Sequence, residues 1–318
     1  MKQTIHTVLG EISPAALGTT LMHEHICCAD WSMRSSFGPL FCDTDRILAR
    51  AVEQVGRAKD VGVTTIVDGT AINLGRDIHL IRQVSQQTGV QIIASSGFYA
   101  QDEPWLAGQD IGYLEELLQR ECSCGISGTD AKPGIMKCAV GGAGITPLRE
   151  AMLRLTARVA VANDLPLFCH HEVGTKAGPE IVKLLLSEGM DPRRIILGHS
   201  GDSNDLPYLT SILELGCYIG ADRWPYDGRF NTVRERTRTL AALCQRGYRD
   251  RIFLSHDLCV YLGFWESQEA TLSNPNLYEN ADFTFLFRTV RPLLLEAGFT
   301  QADFDHFLKE NPQAFFSF

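Results

Sequence analysis

Residues 19–26 read TTLMHEHI, and this stretch decides the fold. An apolar run with β-branched residues is interrupted at its C-terminal end by two histidines, His23 and His25. Strand side chains alternate between faces, so residues two apart share one face. The same pattern returns along the chain. Further strands are predicted over 64–70, 91–99, 133–140, 165–172, 194–200, 216–222 and 251–257. Each is a nearly continuous apolar run, as expected for a strand buried on both faces. Between them lie amphipathic stretches predicted as helices over 43–62, 76–88, 113–121, 146–162, 178–188, 206–215 and 232–245, with an eighth over 285–297. Asp43 or Thr44 is the expected cap of the first helix and Gly62 its stop.

Eight β-then-α units predict an α/β protein with a closed (β/α)8 barrel, TIM type, formed as a single domain over 1–318. No composition break or low-complexity segment divides the chain. A short N-terminal segment and a tail over 301–318 are expected to flank the barrel. The polar stretch 259–282 is expected to be a loop capping the substrate.

Composition limits the function. The chain has 318 residues, 45 % hydrophobic and 21 % charged, with a net charge of −9. That charge offers no footprint for nucleic acid and is repelled by anionic membranes. No run is long enough for a membrane span, and the N-terminus lacks the pattern of a signal peptide. Ten scattered cysteines predict reduced packing thiols and a cytoplasmic protein rather than a disulfide scaffold.

Polar residues break the strands where a barrel has its active-site mouth. His23 and His25 end the first strand, Lys137 lies in the fourth, His170 ends the fifth, His199 the sixth and Asp257 the eighth. One histidine in a strand is ordinarily a hydrogen-bonded core residue. Six ligand-type residues from five strands exceed the four that one ion needs, which favours two divalent ions. Imidazole and carboxylate ligands suit zinc first, with manganese, cobalt, iron or nickel as alternatives. A lysine ammonium beside two cations is disfavoured, so Lys137 is expected to be neutral or carboxylated. Glu24, His171 and His256 point to the opposite faces and are expected to be structural.

These residues resemble the phosphotriesterase family of the amidohydrolase superfamily over nearly the whole chain. The carrying segments are LMHEHI (21–26), DGTAINLGRD (68–77), PGIMKCAVG (133–141), PLFCHHEVGT (166–175), ILGHSGDSNDLPYL (196–209), LSHDLC (254–259) and KENPQAFF (309–316). The resemblance implies a binuclear centre. His23, His25 and Asp257 would hold the buried ion, His170 and His199 the exposed one, and N6-carboxylated Lys137 would bridge them. Asp257 would accept or relay a proton. GADRWP (220–225) and Tyr99 in SGFY resemble the family's lactonase branch, implying that Arg223 and Tyr99 act in catalysis and shape the pocket. Asp222 would orient a ligand or relay a proton. Trp224, Arg229 and Tyr261 are further substrate-binding candidates, against packing or solvated roles.

The expectation is a lactonase opening a sugar or acyl lactone, with promiscuous phosphotriesterase activity. A dedicated phosphotriesterase, or another ester or amide hydrolase, is the alternative. A non-catalytic binding protein would have lost ligands, and none of the six is lost. A structural one-metal site would bind one ion. The partner is a small ester or lactone, and the resemblance allows a homodimer.

Overall fold

The computed structural model describes residues 4–228 and 230–318. Eight parallel strands pair in sequence order: Thr19–Cys28, Val63–Asp68, Gln91–Gly97, Ile135–Val140, Leu167–His171, Ile195–Gly198, Tyr218–Ala221 and Ile252–Leu254. A further segment, Cys259–Leu262, pairs in parallel with the first strand and closes the ring. The sheet is the (β/α)8 barrel expected from the eight repeated units. Seven helices follow the first seven strands within a few residues of their expected positions, from Thr44–Asp60 to Val233–Gln245.

The caps are those the sequence offers. Asp43 accepts from the backbone N–H of Asp45 and Arg46, and Asp77, Asp110 and Thr146 cap their helices in the same way. Such a side chain satisfies N–H groups that have no partner within the helix.

Each barrel strand gives one side chain to an inner layer: Met22, Val67, Ile93, Ile135, Phe168, Ile196, Tyr218 and Phe253. Below it, Ile5, Leu17, Phe315 and Phe316 plug the bottom. The tail expected only to flank the barrel is therefore helical, Gln301–Asp305 and Asn311–Phe316, and part of the core. The larger apolar cluster fills the space between strands and helices.

Two departures from simple strands set up the site. In the first strand Leu21 pairs with Ile66 but Glu24 with Asp68, so three residues advance against two. This bulge lets Met22 join the inner layer while His23, the next residue, stacks on Phe168 inside the barrel at 4.0 Å. The eighth strand, expected to run unbroken to Asp257, instead stops at Leu254 and resumes at Cys259. Asp257 sits in the gap with a left-handed φ of 56°.

The stretch after the gap is more structured than a loop. It contains the strand Cys259–Leu262 and the helix Gln268–Ser273. Arg50, on the first helix, fastens it. Its guanidinium donates to the carbonyls of Val260 (3.1 Å), Leu272 (3.3 Å), Asn274 (2.5 Å) and Asn276 (2.9 Å). Arg50→Ala should lower stability by about 2 kcal/mol, since charged hydrogen bonds are strong but this group is half-exposed to water. The urea midpoint reads the loss, and limited proteolysis should cut first between residues 263 and 281. An unchanged midpoint would mean that Arg50 does not hold the loop.

Candidate active site

The C-terminal ends of the strands surround a cavity of about 410 Å³. All six ligand candidates line it: His23, His25, Lys137, His170, His199 and Asp257. His23 Nε2 and His25 Nε2 each lie 3.1 Å from the same oxygen, Oδ1 of Asp257. Lys137 Nζ is 3.3 Å from His23 Nε2. The His170 and His199 rings stand edge to face, 4.5 Å between centroids. Among the described residues, His23, His199 and Asp257 each present a ligand atom within 4.8 Å of the others.

Two of these rings are held by their outer nitrogens, so that the inner ones face the cavity. His25 Nδ1 meets Thr70 Oγ1 at 2.9 Å, and His199 Nδ1 meets Asp222 Oδ1 at 3.0 Å. Asp222 also accepts the backbone N–H of His199 at 2.9 Å, holding that residue at its left-handed φ of 62°. The His23 ring is seated against Gly69, where an added Cβ would fall 2.3 Å from Cε1. Imidazole nitrogens and a carboxylate oxygen converge, with partners behind His25 and His199 and none on His23 Nδ1, a donor set that fits a divalent cation.

Three of the four histidines are electron-pair donors as they stand; burial would lower His25 too, but Cys28 and Asp257 beside it raise it to about 10. Burial keeps His23 and His199 well below the usual histidine range and His170 at about 4, so all three are neutral. Burial likewise brings Lys137 down to about 8, and its amine lies 4.1 Å over the Phe168 ring. Burial would raise Asp257, but Arg223, His199 and His23 hold it well below the carboxylate range. Burial and the neighbouring Asp257 push Asp222 up to about 8.

Arg223 and Tyr99 both line the cavity. Arg223 Nε donates to Asp257 Oδ2 at 2.7 Å and Nη1 to Asp202 Oδ2 at 3.1 Å. The Tyr99 hydroxyl is 3.5 Å from His170 Nε2. Two other substrate-binding candidates lie elsewhere. Trp224 is fully buried in the outer core. Tyr261 is also fully buried, because the strand Cys259–Leu262 turns it into the outer core, where its hydroxyl donates to the Phe41 carbonyl. Neither borders the cavity. Arg229 lies outside the described residues.

The outward-facing residues brace the site. His171 bonds to the Gly198 carbonyl and the Tyr208 hydroxyl. Glu24 accepts from the Ser255 hydroxyl (2.7 Å), the His256 N–H (2.9 Å), His256 Nδ1 (2.7 Å) and the Leu258 N–H (3.1 Å). Ser255 in turn accepts the His23 N–H at 2.9 Å. Other contributors carry no signal in a single strand. Thr70 sits in the quoted DGTAINLGRD segment without an assigned role. Phe168 reads as core. Tyr226, whose hydroxyl donates to the Asp257 carbonyl at 2.7 Å, follows the seventh strand by several residues. The capping stretch supplies Leu262, Trp265, Glu266 and Tyr278 to the cavity wall.

The family model of the phosphotriesterase family matches residues 3–316. The phosphotriesterase homology protein of Mycobacterium tuberculosis is 32% identical over 323 residues, spanning 98% of this chain and 97% of that one. The aryldialkylphosphatase of Saccharolobus solfataricus is 33% identical over 303 residues, 95% of each chain. The N-acetyltaurine hydrolase of Xenopus tropicalis is 27% identical over 356 residues, 99% of this chain and 98% of that one. Among the described residues, no helix is long and apolar enough to cross a membrane.

Proposed function

The chain belongs to the phosphotriesterase family, and on that premise we propose that it is a binuclear metal-dependent hydrolase that opens a small lactone. The observation carrying this reading is the convergence of six ligand-type side chains from five strands on one cavity, with Arg223 and Tyr99 beside them. His23, His25 and Asp257 would hold one ion and His170 and His199 the other, with zinc the first choice. Burial brings Lys137 down to about 8, which raises the fraction of free amine above that of an ordinary lysine; that form would add carbon dioxide, and the resulting carbamate would serve both ions. Bound ions supply Lewis-acid polarisation of the ester and a more acidic water.

The chain's own groups do the rest. Asp257 accepts the proton released at attack. Asp222 holds the His199 ring through Nδ1 at 3.0 Å, beside the Asp257 carboxylate. Arg223 keeps the Asp257 carboxylate oriented. Tyr99 and Arg223 offer hydrogen-bond donors to the opening ester oxygen. Arg223→Met should cut kcat/KM about 100-fold, the usual cost of one donor to a developing charge. A loss under threefold would remove it from the mechanism.

The relatives' names span phosphate-ester and amide hydrolysis, so the test compares bond types. Zinc- or manganese-loaded protein is assayed on lactones, open esters, phosphotriesters and N-acyl amides. The lactonase reading expects ring opening to be fastest. Rapid cleavage of phosphotriesters or amides with no lactone opened would contradict it.

A further inference from the structure

Two thiols stand in the wall of the same cavity. Cys28 ends the first strand, three residues beyond His25. Cys259 opens the segment that closes the barrel, two residues beyond Asp257 and in register with His25. Both border the cavity. The Cys259 thiol donates to the Cys28 sulfur, with the sulfurs 3.8 Å apart. Cys28 is 2% exposed and Cys259 is half-buried. Apolar Ala71, Leu74 and Leu262 surround them. The pairing goes beyond the packing role expected of all ten cysteines.

We propose that Cys28 and Cys259 form an oxidisable thiol pair that a peroxide closes to a disulfide and a thiol reductant reopens, shutting and restoring the hydrolytic site. Cys28, whose sulfur borders the cavity and accepts the hydrogen bond from the Cys259 thiol, attacks a peroxide oxygen. The O–O bond breaks, the thiol proton leaves with the departing oxygen as water (for hydrogen peroxide), and Cys28 becomes a sulfenic acid. The Cys259 sulfur then attacks the Cys28 sulfur, and its proton leaves with the expelled oxygen as a second water. The two thiols are oxidised, and the peroxide takes up their two electrons.

The geometry couples this bond to the site. A disulfide needs sulfurs about 2 Å apart, so the two segments must approach and their backbones shift. One segment carries His23 and His25; the other is joined to Asp257. Those side chains meet at 3.1 Å. Displacements of about 1 Å at a reacting centre cost about 100-fold in rate.

The test treats zinc-loaded, full-length protein with hydrogen peroxide, alkylates the remaining thiols and maps the peptides by mass. The expected product is lighter by about 2 Da, with the Cys28 and Cys259 peptides joined. Activity should fall about 100-fold, and dithiothreitol should reverse both changes. Cys28→Ala and Cys259→Ala should each abolish the joined peptide. Cys124→Ser, at an exposed thiol on the outer helix Ile111–Cys124, should leave it intact. Peroxide-treated protein with all ten thiols still reactive, or oxidised only at single cysteines, would overturn the proposal. The covalent readout is independent of the hydrolase reading: a joined peptide in protein that hydrolyses nothing would sustain the pair and sink that reading instead.

Discussion

Lys137→Met should lower kcat/KM by about 1,000-fold or more, the scale on which removal of a core catalytic group acts. The substituted residue is fully buried and close to isosteric, so the fold has little reason to change. What it loses is a nitrogen 3.3 Å from His23 Nε2, at the junction of the two groups of ligands. On the proposed assignment, losing the bridge would leave the His170 and His199 side with two imidazoles, fewer than the usual ligand count. The activity loss should therefore accompany loss of about one ion per chain. Circular dichroism and the melting curve of the metal-free protein separate this from misfolding. A Lys137→Met enzyme with undiminished turnover would remove the carbamate bridge from the account.

The second large effect is structural. Glu24→Ala should destabilise the protein by about 3–5 kcal/mol, the range for breaking a buried charged network. Glu24 is inaccessible, and its carboxylate takes the place of strand pairing across the gap between Leu254 and Cys259. The substitution leaves the N–H groups of His256 and Leu258 without their acceptor, each a buried desolvated donor. It also frees Ser255, which holds the His23 backbone. Affinity for metal should drop with stability, because Asp257 lies inside the gap. Glu24→Gln, which keeps one accepting oxygen, should fall between the two. Chemical denaturation of the three proteins measures the order, and an Ala variant within 1 kcal/mol of the parent, about the cost of one ordinary hydrogen bond, would refute the bracing role.

Most of the barrel is legible in the chain because each strand carries its own evidence. An apolar run bounded by turns identifies itself without reference to its neighbours, as 91–97 and 195–198 do. The cavity-lining position of His170 is legible for the same reason, since alternation alone separates it from His171. The bulge beside His23 is a different matter. It is a mismatch of register between two strands, and neither strand shows it singly. The break after Leu254 is likewise set by Glu24, 231 residues away from Ser255 in sequence. Tyr261 was expected at the substrate because its strand pairing with Cys27 could not be read locally. The tail's role as a plug rests on Phe315 meeting Tyr218 and Phe253, with Phe316 packed against Phe315, again a long-range match.

The side chains that tune the site are the least legible. Thr70, Asp222 and Tyr226 act by touching a ligand residue from another strand end. Asp222 is marked by its GADRWP segment, and the structure gives it a partner in His199. Thr70 and Tyr226 have no comparable local signal, because a hydroxyl near a strand end is common and only the partner makes it informative.

The central claim is that these strand ends hold two ions. Elemental analysis of protein purified with excess zinc, dialysed against metal-free buffer and referenced to protein concentration by amino-acid analysis, tests it directly. The account predicts about two ions per chain, bound by the histidines, Asp257 and Lys137. A value that stays at about one ion per chain across the zinc titration would contradict it.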